Sequence, residues 1–175
     1  MTDILGTLRT TDGAGVVRIE RRYPTVVDDL WSALTDPERL ARWYGRVEGD
    51  LRLGGDIRVH LDGADLDSVG RIEACEAPRH LLLTTRETDA SRERGRGGDP
   101  FVQTNEATLT AVGTGTVLVL EIRGLPRSAL GAYGAGWQIH TESLAAYLAG
   151  HDAIDNGTLW TQLLEPYEAV AAALQ

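Results

Sequence analysis

The chain has 175 residues, 42% hydrophobic and 25% charged, which suits one domain with a substantial core and excludes wholesale disorder. Seventeen basic residues, all of them arginine, stand against 26 acidic ones; the net charge of −9 opposes nucleic acid and anionic membrane surfaces. The single cysteine, Cys75, excludes an internal disulfide and a multi-cysteine zinc site, and no apolar run approaches the ~20 residues that cross a bilayer.

Residues 1–15 are polar and glycine-containing, with turn signals at Asp12-Gly13 and Ala14-Gly15, and read as an N-terminal arm. Residues 16–23 are rich in β-branched side chains and read as a strand that Pro24 ends. Val27, Leu30, Trp31 and Leu34 fall at i, i+3, i+4 and i+7, the stripe of a short amphipathic helix. Thr35 or Asp36 caps a second helix, with Pro37 at its first position and Leu40, Trp43 and Tyr44 facing inward. Gly54-Gly55 turns the chain into residues 56–61, where Ile57, Val59 and Leu61 alternate with Arg58 and His60. Residues 70–77 and 80–87 are further extended runs, with Pro78-Arg79 between them, and 88–100 reads as a charged, glycine-rich loop. Residues 102–111 and 116–122 are joined by Val112-Gly113-Thr114-Gly115, a hairpin signature.

From Leu130, the residues Tyr133, Trp137, Thr141, Leu144, Tyr147 and Leu148 recur at helical spacing, and Gly150 supplies a stop. A last helix over roughly 158–174 carries Leu159, Leu163, Val170 and Leu174 on an apolar face that Pro166 interrupts. It packs on its own sheet or makes a dimer contact, so a monomer and a homodimer are both open. Strand, two short helices, antiparallel strands and a long helix together make an α+β plan.

Several strings carry a resemblance. They are Val26-Val27-Asp28-Asp29-Leu30-Trp31-Ser32-Ala33-Leu34-Thr35-Asp36-Pro37-Glu38, Leu40-Ala41-Arg42-Trp43, Gly54-Gly55, Gly70-Arg71-Ile72, Ala77-Pro78-Arg79-His80-Leu81 and Gly115-Thr116-Val117-Leu118. Gly136-Trp137, leading to Leu144, Leu148 and Gly150, completes the set. In this order, over residues 16–150, they resemble the START-like superfamily of helix-grip domains, also called the Bet v-like or polyketide cyclase superfamily. Within it the chain is most similar to the branch of activators of heat-shock protein 90 ATPase homologues. The resemblance implies a curved antiparallel sheet wrapped around a long C-terminal helix, with a cavity between them and residues 151–175 as an added helical extension. It also implies that the cavity holds apolar ligands or, in a minority of members, supports cyclisation and dehydration. Many relatives carry a tryptophan at the end of the strand after the proline turn. Here Thr84-Thr85 stands instead, which implies a wider, more polar pocket.

Strand parity then selects the lining. If Leu118, Leu120 and Ile122 face the long helix, Ala107 and Leu109 on the next strand do too, and Gln103 and Asn105 share their face. Thr85 lies inward with Leu81 and Leu83. The helices contribute Trp43, Tyr133, Trp137, His140 or Thr141, and Leu144. The predicted ligand-binding set is therefore Trp43, Leu83, Thr85, Gln103, Asn105, Leu120, Tyr133, Trp137, His140 and Thr141, an aliphatic and aromatic wall with sparse polar groups. Each has a plainer role: the tryptophans as core, the amides as solvated strand ends, His140 as a surface or capped histidine. The triplet Arg92, Arg94 and Arg96 offers guanidinium forks to an anion, or is simply a solvated loop. Asp62, Asp65 and Asp67 lack the glycine and glutamate positions of a calcium loop and read as a turn.

Nothing in the sequence calls for a metal or cofactor. The first expectation is a cytoplasmic protein that binds a hydrophobic, lipid- or polyketide-like small molecule, with no nucleic-acid partner and no membrane insertion. The second is a cyclase or dehydratase, for which His140, Tyr133 and Glu87 are the acid–base candidates. A regulatory or co-chaperone-like interaction module is the third.

Overall fold

The computed structural model describes residues 2–94 and 99–174. β1 (Gly6–Thr11) and β2 (Ala14–Tyr23) form a hairpin whose turn residues, Asp12 and Gly13, both take positive φ, 52° and 82°. That two-residue turn matches the twist of the strands it joins. The stretch read from sequence as an arm therefore contains an edge strand. Only Gly6 and Leu8 of it are buried, too few inward positions to show a period of two.

α1 (Val27–Thr35) and α2 (Pro37–Trp43) carry the chain from β2 to the far edge of the sheet. The Asp36 carboxylate caps α2, accepting from the Glu38 and Arg39 amides at 2.9 and 3.4 Å. β3 (Arg46–Gly49), β4 (Asp56–Leu61), β5 (Leu66–Glu76), β6 (His80–Glu87), β7 (Gln103–Val112) and β8 (Gly115–Leu125) then return as an antiparallel meander. The result is an eight-stranded sheet ordered β1-β2-β8-β7-β6-β5-β4-β3. Register shifts at Gly15/Val16 and Ile72/Ala74 add the local bends from which a curved sheet is made. Between β6 and β7, where a loop was expected, Asp89–Arg94 forms a short helix, α3. Arg92 pairs there with Asp89, and Arg94 with Asp65 and Asp67, so both are occupied by carboxylates; Arg96 lies outside the described residues.

α4 (Leu130–Leu148) crosses the concave face, ends at Gly150 with φ 70°, and is covered by α5 (Asn156–Ala172), which runs through Pro166 without ending. Gly134 lets the two helices meet: a Cβ there would lie 2.4 Å from Tyr167 Cδ1. Beneath this contact the fully buried Gln138 accepts from the Tyr167 hydroxyl (2.6 Å) and the Leu5 amide (2.8 Å) and donates to the Asp3 carbonyl (2.9 Å). One core cluster gathers Tyr23, Leu30, Leu40, Ile72 and Leu118; a second gathers Val17, Ile122, Leu130, Leu163 and Tyr167. Among the described residues no helix is long and apolar enough to cross a membrane.

Candidate functional site

The pleat of β6 and β7 aims alternate side chains at α4, and beside Glu87 at the end of β6 three of these, on adjoining positions, are polar and uncharged. Asn105 and Thr85 are buried, and Gln103 is half-buried beside them. Gln103 Nε2 donates to Asn105 Oδ1 at 3.1 Å, and Asn105 Nδ2 donates to Thr85 Oγ1 at 3.0 Å. The chain of bonds offsets the desolvation of these groups. It still leaves the Gln103 carbonyl oxygen and the Thr85 hydroxyl hydrogen capable of another bond.

Facing this polar rail, Tyr133, Trp137 and His140 recur at i, i+4 and i+7 on α4 and form one stripe. Tyr44, at the end of α2, stacks on Trp137 (centroids 6.1 Å apart, 25° between planes) and meets His140 edge-on at 4.7 Å. Phe101 packs edge-on against Tyr133 at 5.9 Å. The Trp43 indole donates to the Ala33 carbonyl at 3.0 Å, which fixes it as wall.

Two chambers open between sheet and helix. The outer, about 120 Å³, is bounded by Tyr133, His140, Thr85, Gln103, Glu87 and Phe101. The inner, about 100 Å³, is bounded by Trp43, Leu83, Asn105, Leu120 and the aliphatic side chains of α1, α2 and β4–β6. Tyr44, Val59 and Trp137 border both, so the Tyr44–Trp137 stack is the partition. Burial pushes the His140 imidazole down to about 4, leaving it neutral near pH 7. Burial, assisted by the nearby Tyr133, pushes the Tyr44 phenol up to about 12. The Glu87 carboxylate, at the outer rim, accepts from the buried Ser91 hydroxyl at 2.8 Å. Among the described residues no three His, Cys, Asp or Glu side chains converge as metal ligands would.

Residues 24–149 match the family model described as Activator of Hsp90 ATPase homolog 1-like protein. The chain belongs to that family. CalU16 of Micromonospora echinospora is similar in structure over 95% of this chain and 96% of its own, with 28% identity and a TM-score of 0.72. DynU16, from the dynemicin biosynthetic locus, is 26% identical with a TM-score of 0.68; the match takes in 83% of this chain and 51% of that one. MLL2253 of Mesorhizobium loti shares the fold at 24% identity and a TM-score of 0.68, over 78% of this chain and 98% of its own. The comparison with curated proteins found no match.

Within this Hsp90-activator-like fold, nine of the ten residues selected from sequence reach the chambers: Trp43, Leu83, Asn105 and Leu120 the inner, Thr85, Gln103, Tyr133 and His140 the outer, Trp137 both. Thr141 does not. It is buried toward β2, where its hydroxyl donates to the Gln138 carbonyl (2.8 Å) and its own carbonyl accepts from Tyr23 (3.1 Å). One residue along a helix rotates the side chain by about 100°, enough to turn Thr141 from the stripe that holds His140. Phe101 and Trp160, outside the predicted set, also line the outer chamber, as does Tyr44, expected only to face inward. No local pattern marks Phe101, which precedes its strand, or Trp160, which reaches the chamber from α5.

Proposed function

We propose that this protein binds a hydrophobic small molecule between the sheet and α4, spanning both chambers. One observation carries the reading: unfilled space on either side of the Tyr44–Trp137 stack, in an interior that otherwise closes into two packed clusters. An apolar cavity of roughly 150 Å³ is enough to hold benzene. The chambers here are each smaller, so a ligand of biosynthetic size would enter by displacing the stack and joining them. The inner wall supplies burial, at about 25 cal/mol per Å². The Gln103–Asn105–Thr85 rail supplies orientation. The similarity to DynU16, a protein of a biosynthetic locus, supports a small secondary product as the cargo.

A second reading, acid–base catalysis of a cyclising or dehydrating kind, is favoured by Glu87 and His140 bordering one chamber. One experiment serves both readings. The protein is incubated with a panel of lipids and aromatic polyketides and followed by native mass spectrometry and thermal shift. Retention of an intact apolar compound with a raised Tm supports binding. Loss of water from the retained compound supports catalysis. No retained mass and no shift, with the Leu83→Trp variant equally stable and equally unresponsive, would sink both.

A further inference from the structure

The outer chamber has a chemical bias that apolar binding does not require. Tyr44, Phe101, Tyr133, Trp137 and Trp160 turn five aromatic rings toward it, and Glu87 is the only carboxylate at its wall among the described residues. That carboxylate is held in place: Oε1 accepts from Ser91, whose hydroxyl oxygen also accepts the Asp67 amide at 3.0 Å. Among the described residues no side chain donates to Oε2 and no arginine pairs with Glu87. Arg86 borders the chamber next in sequence, but its side chain stands on the opposite face of the pleat and is exposed.

We propose that the outer chamber receives the protonated amine of the ligand, with Glu87 as its counter-ion, while the ligand's flat apolar part extends into the inner chamber. This rests on the small-molecule reading above and names the class of compound. Ring faces carry negative potential and attract a cation within about 6 Å. A carboxylate with a free oxygen adds a charge-assisted hydrogen bond, and the Gln103 carbonyl adds a neutral one. The imidazole across the chamber is neutral near pH 7 and does not oppose the ammonium. An anionic ligand would meet Glu87 with no cation among the described residues paired to it. The net charge of −9 favours approach of the same class from solution.

The test is calorimetric titration of the full chain at neutral pH with 2-naphthylmethylamine, its neutral isostere 2-naphthylmethanol, and 2-naphthoate. The amine should bind about 10-fold more tightly than the alcohol, with the naphthoate weakest. Glu87→Gln, which can still accept from Ser91, should remove most of the amine's advantage over the alcohol and leave only the part that the rings and the Gln103 carbonyl supply. Phe101→Leu should shrink the amine's advantage without erasing it. Equal binding of amine and alcohol to the wild type overturns the amine inference and leaves apolar binding intact. No binding by any of the three overturns both. A preference that survives Glu87→Gln unaltered overturns the role of Glu87. Should that variant fail to fold, the wild-type order of the three probes decides the matter alone.

Discussion

An imidazole packed edge-on against Tyr44 and Trp137 and half-buried at the chamber wall is less hydrated than the same group in the unfolded chain. Its pKa of about 4 in the fold lies below the ordinary 6.5, so between those values the unfolded chain binds the additional proton. Stability from this residue is therefore complete above pH 6.5 and is lost as the pH falls toward 4, by about 3 kcal/mol at that limit. Urea unfolding from pH 4 to 7 should show this slope in the wild type and a flatter one in His140→Phe; parallel curves would mean that the ring is solvated. His60 works in the opposite sense. Its hydrogen bond to Asp67 raises its pKa, and its contribution fades as the pH rises through that value. Sequence reading identified His140 as inward only as an alternative to Thr141, because spacing on a helix resolves a face to no better than one residue's rotation. Thr85, Gln103 and Asn105 were more legible, since strand alternation allows only two orientations.

Two glycines of α4, two positions apart, should answer the same substitution differently. Gly134 faces Tyr167, and an added Cβ would lie 2.4 Å from the ring, inside any tolerable contact. Gly136 faces the outer chamber, where the nearest heavy atom to an added Cβ is Trp160 Cζ3 at 3.9 Å. Gly134→Ala should lower stability by about 1–3 kcal/mol through overpacking. Gly136→Ala should raise it by about 0.5–1 kcal/mol through reduced unfolded-chain freedom. Thermal unfolding of the two variants checks the pair, and a similar shift in both would contradict the α4–α5 packing. Helices and central strands followed from periodicity and from the Asp36 cap. The edge strand β1 and the short α3 did not: few of their residues are buried, and the hydrogen bonds that hold them come from β2 and from the Ser91 contacts with Glu87 and Asp67.

At the scale of the molecule, Gln138 joins three remote parts of the chain. Its side chain ties the N-terminal segment to α4 and, through Tyr167, to α5; Tyr167 in turn accepts from the Gly6 amide at 2.8 Å. Replacing this buried amide leaves the Leu5 amide and the Asp3 carbonyl without the partner that Gln138 supplies. Gln138→Leu should therefore cost about 2–4 kcal/mol, more than a single neutral bond is worth. Chemical denaturation measures the loss, and faster hydrogen exchange at Leu5 should accompany it; protection unchanged at Leu5 would show that other contacts hold the terminus.

Amino-acid order alone determined the α+β plan, the helix-grip resemblance and most of the inward-facing positions. Those are consequences of pleat and helix periods, caps and turn residues, each acting over a few neighbours. Tertiary structure decided the rest: that space remains between sheet and α4, that Tyr44 and Trp137 divide it, and that Phe101, Trp160 and Glu87 close the outer part. A cavity is what remains after side chains distant in the chain have packed, so its volume depends on how far apart the backbones of α4, α2 and the sheet come to rest. Local spacing does not encode that separation. Contacts such as Tyr44 against Trp137, 93 positions apart in the chain, set it.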